Sequence, residues 1–199
     1  MLSDLGLRER KKAATRGALT SAALRLAVER GVDNVTAEDI AEAAGVSART
    51  FFNYFATKEE AFVADDLERG RRFVASVAAA PADAPVWDLL RTAAVSTLAT
   101  STLPSRDQAL KEKLVRTSAT VVAEVLASFV RLEQELVVEL ARRTAPSSPL
   151  HARLLSAAVV AAVRAATETW LVSNSDSTAA YVDLLDEAFA ALAPAFPRS

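Results

Sequence analysis

The 199-residue chain contains no cysteine, which excludes disulfides and thiolate metal sites. Its single histidine, His151, excludes multi-histidine metal sites within one chain. Residue 148 is a serine, so the Glu-x-x-His pairing of a di-iron helical bundle is missing as well. There is no glycine-rich phosphate loop and no H-E-x-x-H pair. Nothing assembles into a catalytic site, and the sequence predicts a protein that is not an enzyme and holds no metal or cofactor. No apolar run reaches membrane-spanning length, because residues 157–163 are stopped by Arg164. The N-terminal MLSDLGLRERKK lacks the apolar core of a signal peptide, so a cytoplasmic location is expected, with no membrane partner. No stretch alternates at period two with β-branched enrichment, so no sheet is expected either.

What the chain does have is 51% hydrophobic residues, enough to bury a sizeable core, and one segment dense in helix signals. That segment is residues 35–62, VTAEDIAEAAGVSARTFFNYFATKEEAF. Thr36 can cap a helix while Asp39 favours its positive N-terminal end. Ile40, Ala41 and Ala44 share one face, and Gly45 ends the helix in the left-handed conformation glycine adopts at no steric cost. Ser47 is placed to cap a second, short helix over 48–55. Thr57 and Glu60 form a capping box that opens a third. Two short helices joined by a Gly-Val-Ser turn are the sequence form of a helix-turn-helix. Ahead of them, residues 8–30 read as one helix with Leu19, Ala22, Ala23, Leu26 and Ala27 as its apolar stripe, stopped by Gly31. Its start is basic, with Arg8, Arg10, Lys11, Lys12 and Arg16 against the single acid Glu9. In a protein of net charge −2, a local positive segment suits DNA binding by one face; alone, it would equally suit a solvated tail.

The pattern T-x-x-D-I-A-x-x-A-G-V-S-x-x-T-x-F-x-Y-F-x-x-K-E resembles the DNA-binding signature of the TetR (tetracycline-repressor-type) family of bacterial transcriptional regulators. The resemblance runs from about Thr15 to Phe62. It implies a double-stranded DNA operator as partner, a small-molecule effector bound among the helices of the second half, and a homodimer formed by the last two helices. The function it implies is a sequence-specific repressor released by that ligand. One departure is Phe52, where the family very often has a tyrosine whose hydroxyl bonds phosphate; a phenyl ring can instead pack on sugar or on a thymine methyl.

Within the second helix, Phe51 and Phe55 are four apart and should face inward, leaving Ala48, Arg49, Phe52 and Asn53 outward. Arg49 is the base-reading candidate, since a guanidinium bonds bidentately to guanine; the alternative is an exposed salt bridge. Thr50 and Tyr54 have hydroxyls suited to phosphate oxygens, although Tyr54 equally suits a half-buried core position. Lys58, at a helix start, is expected on phosphate. Arg16 is placed near the DNA backbone, and Thr36 and Ser47 cap their helices and touch it.

The fold expected is all-α: residues 1–57 as a three-helix DNA-binding domain and 58–199 as a helical effector-binding and dimerisation domain. Residues 58–79 read as one long helix, broken by Pro81 and Pro85. Helices follow over 86–101, within 105–144 (interrupted near 117–120), over 150–173 and over 178–193, with turns at Leu103-Pro104 and at 146–149. Ala157, Ala158, Ala161, Ala162, Ala165 and Ala166 are small on more than one side of the 150–173 helix, which permits close helix approach. Trp87, Phe129 and Trp170 are candidate walls of an apolar cavity suited to a lipophilic or acyl-type effector, and equally ordinary core residues.

Overall fold

In the computed structural model, residues 2–99, 115–143, 149–173, 175 and 177–196 are described. The helices are α1 (Leu2–Arg30), α2 (Ala37–Ala43), α3 (Ala48–Phe52), α4 (Lys58–Phe62), α5 (Ala64–Ala79), α6 (Val86–Ala99), α7 (Ala119–Arg143), α8 (Pro149–Val172) and α9 (Thr178–Leu192). Single 3-10 turns cover Val32–Asn34 and Ala193–Ala195, and among the described residues there is no strand. The expected turn at Leu103-Pro104 and the residues 144–148 lie outside the described residues.

The chain divides into two units. The first takes in residues up to Asp65 and, among later described residues, 115–125; the second takes in the rest. The division falls inside α5, so α4 belongs with the first unit.

In the first unit, the α1 stripe is buried as its spacing dictates, with Leu19, Ala22, Ala23, Leu26 and Ala27 joined by Ile40, Phe51, Phe55 and Phe62. Among the described residues, Gly31 and Gly45 are the two positions of positive φ, at 81° and 71°, where an L side chain would be strained. At Thr36 the capping box is complete: Asp39 N–H donates to Thr36 Oγ1 at 3.1 Å, and Thr36 N–H donates to Asp39 Oδ2 at 2.9 Å. At Thr57 only the forward half follows the expected box. Glu60 N–H donates to Thr57 Oγ1 at 3.2 Å, but the Glu60 carboxylate accepts from Ala56 N–H, one residue further back.

The single long helix expected over 58–79 is instead two. Val63, with φ −109° and ψ 15°, leaves the helical region between α4 and α5. The sequence KEEAFVADD has no proline or glycine at the break and carries no sign of it, since both pieces are good helix formers.

In the second unit, Phe73, Val77, Trp87, Leu90, Leu136, Leu140, Leu155, Val159, Trp170, Leu185 and Phe189 form one buried cluster drawn from α5 to α9. Arg91 on α6 grips Asp186 on α9 through two bonds of 2.9 and 3.0 Å. Ser177 caps α9 by accepting from the N–H groups of Ala179 and Ala180. The interruption expected near 117–120 is present as a turn at residues 116–118. α8 is long and apolar enough to cross a membrane by length and composition, with a mean hydropathy of 1.3 in its most apolar window. Arg164 ends the longest unbroken apolar run, whereas the full 24-residue helix carries its apolar average past that charge. Its buried residues, among them Leu155, Val159, Ala162 and Trp170, belong to the shared core.

Arg143, in the last turn of α7, closes the end of α5. Its guanidinium donates to the carbonyls of Val77, Ala78, Ala80 and Pro81, and Glu139 sits 3.3 Å from its Nε. These are carbonyls that a helix C-terminus and the following turn leave without intrahelical donors. With the side chain only 9% exposed, the charge has little solvent to fall back on. Arg143→Ala should therefore cost about 1.5–3 kcal/mol in urea unfolding, the range for hydrogen bonds made by a charged group, with Arg143→Lys recovering part. An Arg143→Ala protein as stable as the wild type would contradict this role.

The Thr36 cap makes a pH prediction. The Thr36 hydroxyl, then its backbone N–H, hold the Asp39 carboxyl below the usual aspartate range, and Arg30 at 3.7 Å adds to the shift. A depressed folded value means that the contribution to stability is present above the unfolded-state value and is lost as pH falls through the depressed one. Thr36→Val removes the hydroxyl and should move the Asp39 titration, followed by carboxyl carbon NMR, part of the way back up. A midpoint that stays in place would show that the cap does not set it.

Candidate nucleic-acid interface

α3 has five residues, too few to persist alone, and its neighbours supply what it lacks. Ser47 Oγ accepts from Thr50 N–H at 3.1 Å and lies 2.9 Å from the Thr50 hydroxyl. One of the two hydroxyl protons bridges the pair, leaving the other for an outside acceptor. Phe51 and Phe55 are fully inside, as their four-residue spacing requires, with ring centroids 5.5 Å apart. The opposite face presents Arg49, Phe52 and Asn53 to solvent.

Arg49 is exposed, and among the described residues no carboxylate pairs with it, so the salt-bridge alternative finds no partner there. Asn53 is the C-cap of α3, its backbone N–H bonded to Arg49 O and Thr50 O while its side chain stays outside. Tyr54 and Thr50 are half-buried, and Phe52 is 53% exposed. Thr36 and Ser47 both cap, as their positions predict, and both are exposed at the surface.

Two cations sit differently from expectation. Lys58 was expected to face phosphate, yet its Nζ donates to Val32 O at 3.0 Å and Val35 O at 2.8 Å. Two of the three ammonium donors are thus committed to the loop that leads into α2, and Lys58 ties α4 to that loop. Two loop carbonyls converging on one point leave no mark in a sequence. Arg16 is half-buried, with its guanidinium 4.6 Å above the Phe55 ring centroid. Its position three residues before Leu19 puts it at the edge of the α1 stripe, where the guanidinium can reach the ring.

The three residues expected as cavity walls all belong to the second unit's apolar cluster, Trp87 and Trp170 inside it and Phe129 packed against it. Trp87 stacks on Phe196 at 4.9 Å and meets Phe189 at 5.2 Å, whereas Trp170 stacks on Tyr181 at 5.3 Å. Phe129 is half-buried against the core from α7. The two tryptophans serve different turns of α9, and each is occupied as a core residue. Trp170 keeps its Nε1–H without a hydrogen-bond partner in the described structure.

Residues 19–64 match the family of bacterial regulatory proteins of tetR type, and residues 84–197 match the C-terminal domain of MftR. The HTH-type transcriptional regulator TcmR of Streptomyces glaucescens is 42% identical over 77 residues, 39% of this chain and 34% of that protein. The match thus spans about a third of that relative's length. Among solved structures, a TetR-family regulator of Streptomyces coelicolor is 20% identical, with a TM-score of 0.47, covering 89% of this chain and 96% of the other. The multidrug binding protein EbrR, solved with imidazole, is 19% identical, with a TM-score of 0.45 over 87% and 88% of the two chains. The two family matches together take in both the helix-turn-helix and the greater part of the second half. With a capped α2, a Gly45 turn and an anchored α3 in place, the chain belongs to the TetR family of bacterial regulatory proteins, which are transcriptional regulators and not enzymes.

Proposed function

We propose that the chain is a homodimeric repressor that binds a double-stranded operator through α3 and is released from it by a small-molecule effector held in the second unit. The observation that carries this reading is the exposed, acid-free Arg49 on a short helix whose opposite face is locked into the core. A rigid helix offering an unpaired guanidinium beside Asn53 suits base edges in the major groove. Arg8, Arg10, Lys11 and Lys12 lie exposed along the start of α1, where they suit DNA phosphates. The Ser47–Thr50 hydroxyl pair and Tyr54 suit phosphate too. Lys58 retains one ammonium donor for such a contact and otherwise acts through the loop it holds. Work on DNA in the cytoplasm follows from this reading.

For the dimer, the structure separates the alanines of α8 into two sets. Ala162 and Ala166 are buried in the core, whereas Ala157, Ala161 and Ala165 are exposed, in line with exposed Leu150, Leu154 and Val172. This outer stripe supports an isologous surface on the last two helices, where small side chains allow a second copy to approach. Two half-sites about one turn of B-DNA apart would then match the two copies of α3. The effector reading rests on family membership, and an acceptor-bearing apolar molecule would suit the unpartnered indole N–H of Trp170.

Binding to duplex DNA flanking its own gene, followed by gel shift, tests the central part. Arg49→Ala should cost about 1–3 kcal/mol on the specific site and little on random duplex of equal length. Equal losses on both would return Arg49 to a backbone role. For the dimer, Ala161→Glu should give monomers by light scattering while keeping its helical content. A dimeric Ala161→Glu protein would place the interface on another surface.

A further inference from the structure

Phe52 is the one aromatic ring on the outward face of α3, and nothing in the capping or packing of the helix uses that exposure. The ring is nevertheless held in place. It stands edge-on to Phe51, 5.3 Å between centroids at 87°, and Phe51 is completely buried. Phe51 in turn packs on Phe55, over which the Arg16 guanidinium lies at 4.6 Å. A ladder of Arg16, Phe55, Phe51 and Phe52 therefore runs from α1 to the surface of α3. It holds an apolar ring in a fixed orientation, an arrangement that suits a specific apolar partner better than water.

The spacing says which partner. Arg49 and Phe52 are three residues apart, so they share a helix face and are displaced by about 4.5 Å along its axis. Successive base pairs are about 3.4 Å apart along each strand. If Arg49 meets one base pair, Phe52 stands over its neighbour. In the major groove the base edges carry donors, acceptors and a single apolar group, the C5-methyl of thymine. A phenyl ring has no donor for phosphate and no acceptor for an amino group. We infer that Phe52 is a specificity residue that reads the C5-methyl of a thymine adjacent to the base pair contacted by Arg49. This inference rests on the DNA-binding reading above and adds the chemistry of one operator position to it.

The test starts with selection of duplexes from a random library by the full wild-type chain. Each thymine of the selected site is then replaced singly by uracil, which removes the methyl and leaves the hydrogen-bonding edges intact. One position per half-site, next to a guanine–cytosine pair, should weaken wild-type binding about fourfold, the worth of one buried methyl, and replacement in both half-sites about fifteenfold. Phe52→Ala should bind the thymine and uracil forms equally at that position while keeping its preference at the guanine. Phe52→Leu, which retains apolar bulk, should keep part of the discrimination. Uracil tolerated by the wild type at every position would overturn the thymine assignment while leaving DNA reading intact. A Phe52→Ala protein that still discriminates uracil would do the same. A wild-type chain that enriches no sequence at all would instead overturn the DNA reading itself. Because the uracil scan of the wild type needs no variant, a folding defect in Phe52→Ala cannot hide the outcome.

Discussion

A helix of five residues forms too few internal hydrogen bonds to offset the cost of starting it, so α3 exists only because its surroundings hold it. Burial of Phe51 is the interaction on which this depends. The ring is fully enclosed beside Phe55, which fixes the rotation of α3 about its own axis and thereby decides that Arg49, Phe52 and Asn53 face outward. The Ser47 cap fixes the start of the helix, and Gly45, in a conformation that would strain any other residue, fixes the angle between α2 and α3. Lys58 braces the far side by binding the carbonyls of Val32 and Val35. Function in this unit is therefore a matter of orientation: the buried ring of Phe51, the Gly45 turn and the caps set the direction of the side chains proposed to meet DNA.

Much of the first unit was legible in the sequence because its signals are local. Caps act over three residues, a glycine C-cap over one, and the Phe51/Phe55 pair over one helical turn. The same locality explains what was missed. The Lys58 ammonium reaches back 26 and 23 residues to its two carbonyl partners, and no spacing rule links a side chain to main-chain oxygens at such separations. Val63 carries no proline or glycine to mark the break between α4 and α5. Arg16 was assigned to the DNA backbone from its place in the basic run just before the helix-turn-helix, and its contact with the Phe55 ring spans two segments that no local spacing links.

The second unit was harder to read for a physical reason. An alanine-rich helix has no strong apolar face, so α8 could not be divided into core and surface by pattern. Only the fold shows that Ala162 and Ala166 are enclosed while Ala157, Ala161 and Ala165 are not. Trp87 and Trp170 meet rings on separate turns of α9, Phe189 and Tyr181, pairings that no local spacing in the sequence reveals. The end of α5, in contrast, is fixed by Arg143 through four carbonyls more than sixty residues away in the chain. Its clamp and the Arg91–Asp186 pair give this unit its polar fastenings, laid over a core built from five helices.

The most direct measurement of the central claim is methylation interference on the bound DNA. Methylating guanine N7 places a bulky group in the major groove at the acceptor a guanidinium would use. If two copies of α3 read the major groove, interference should fall at guanines in two clusters, about 34–36 Å or one helical turn apart. The Arg49→Ala protein should lose that pattern while retaining weak binding. Interference confined to adenine N3 in the minor groove, or absent from guanine N7 altogether, would contradict the account.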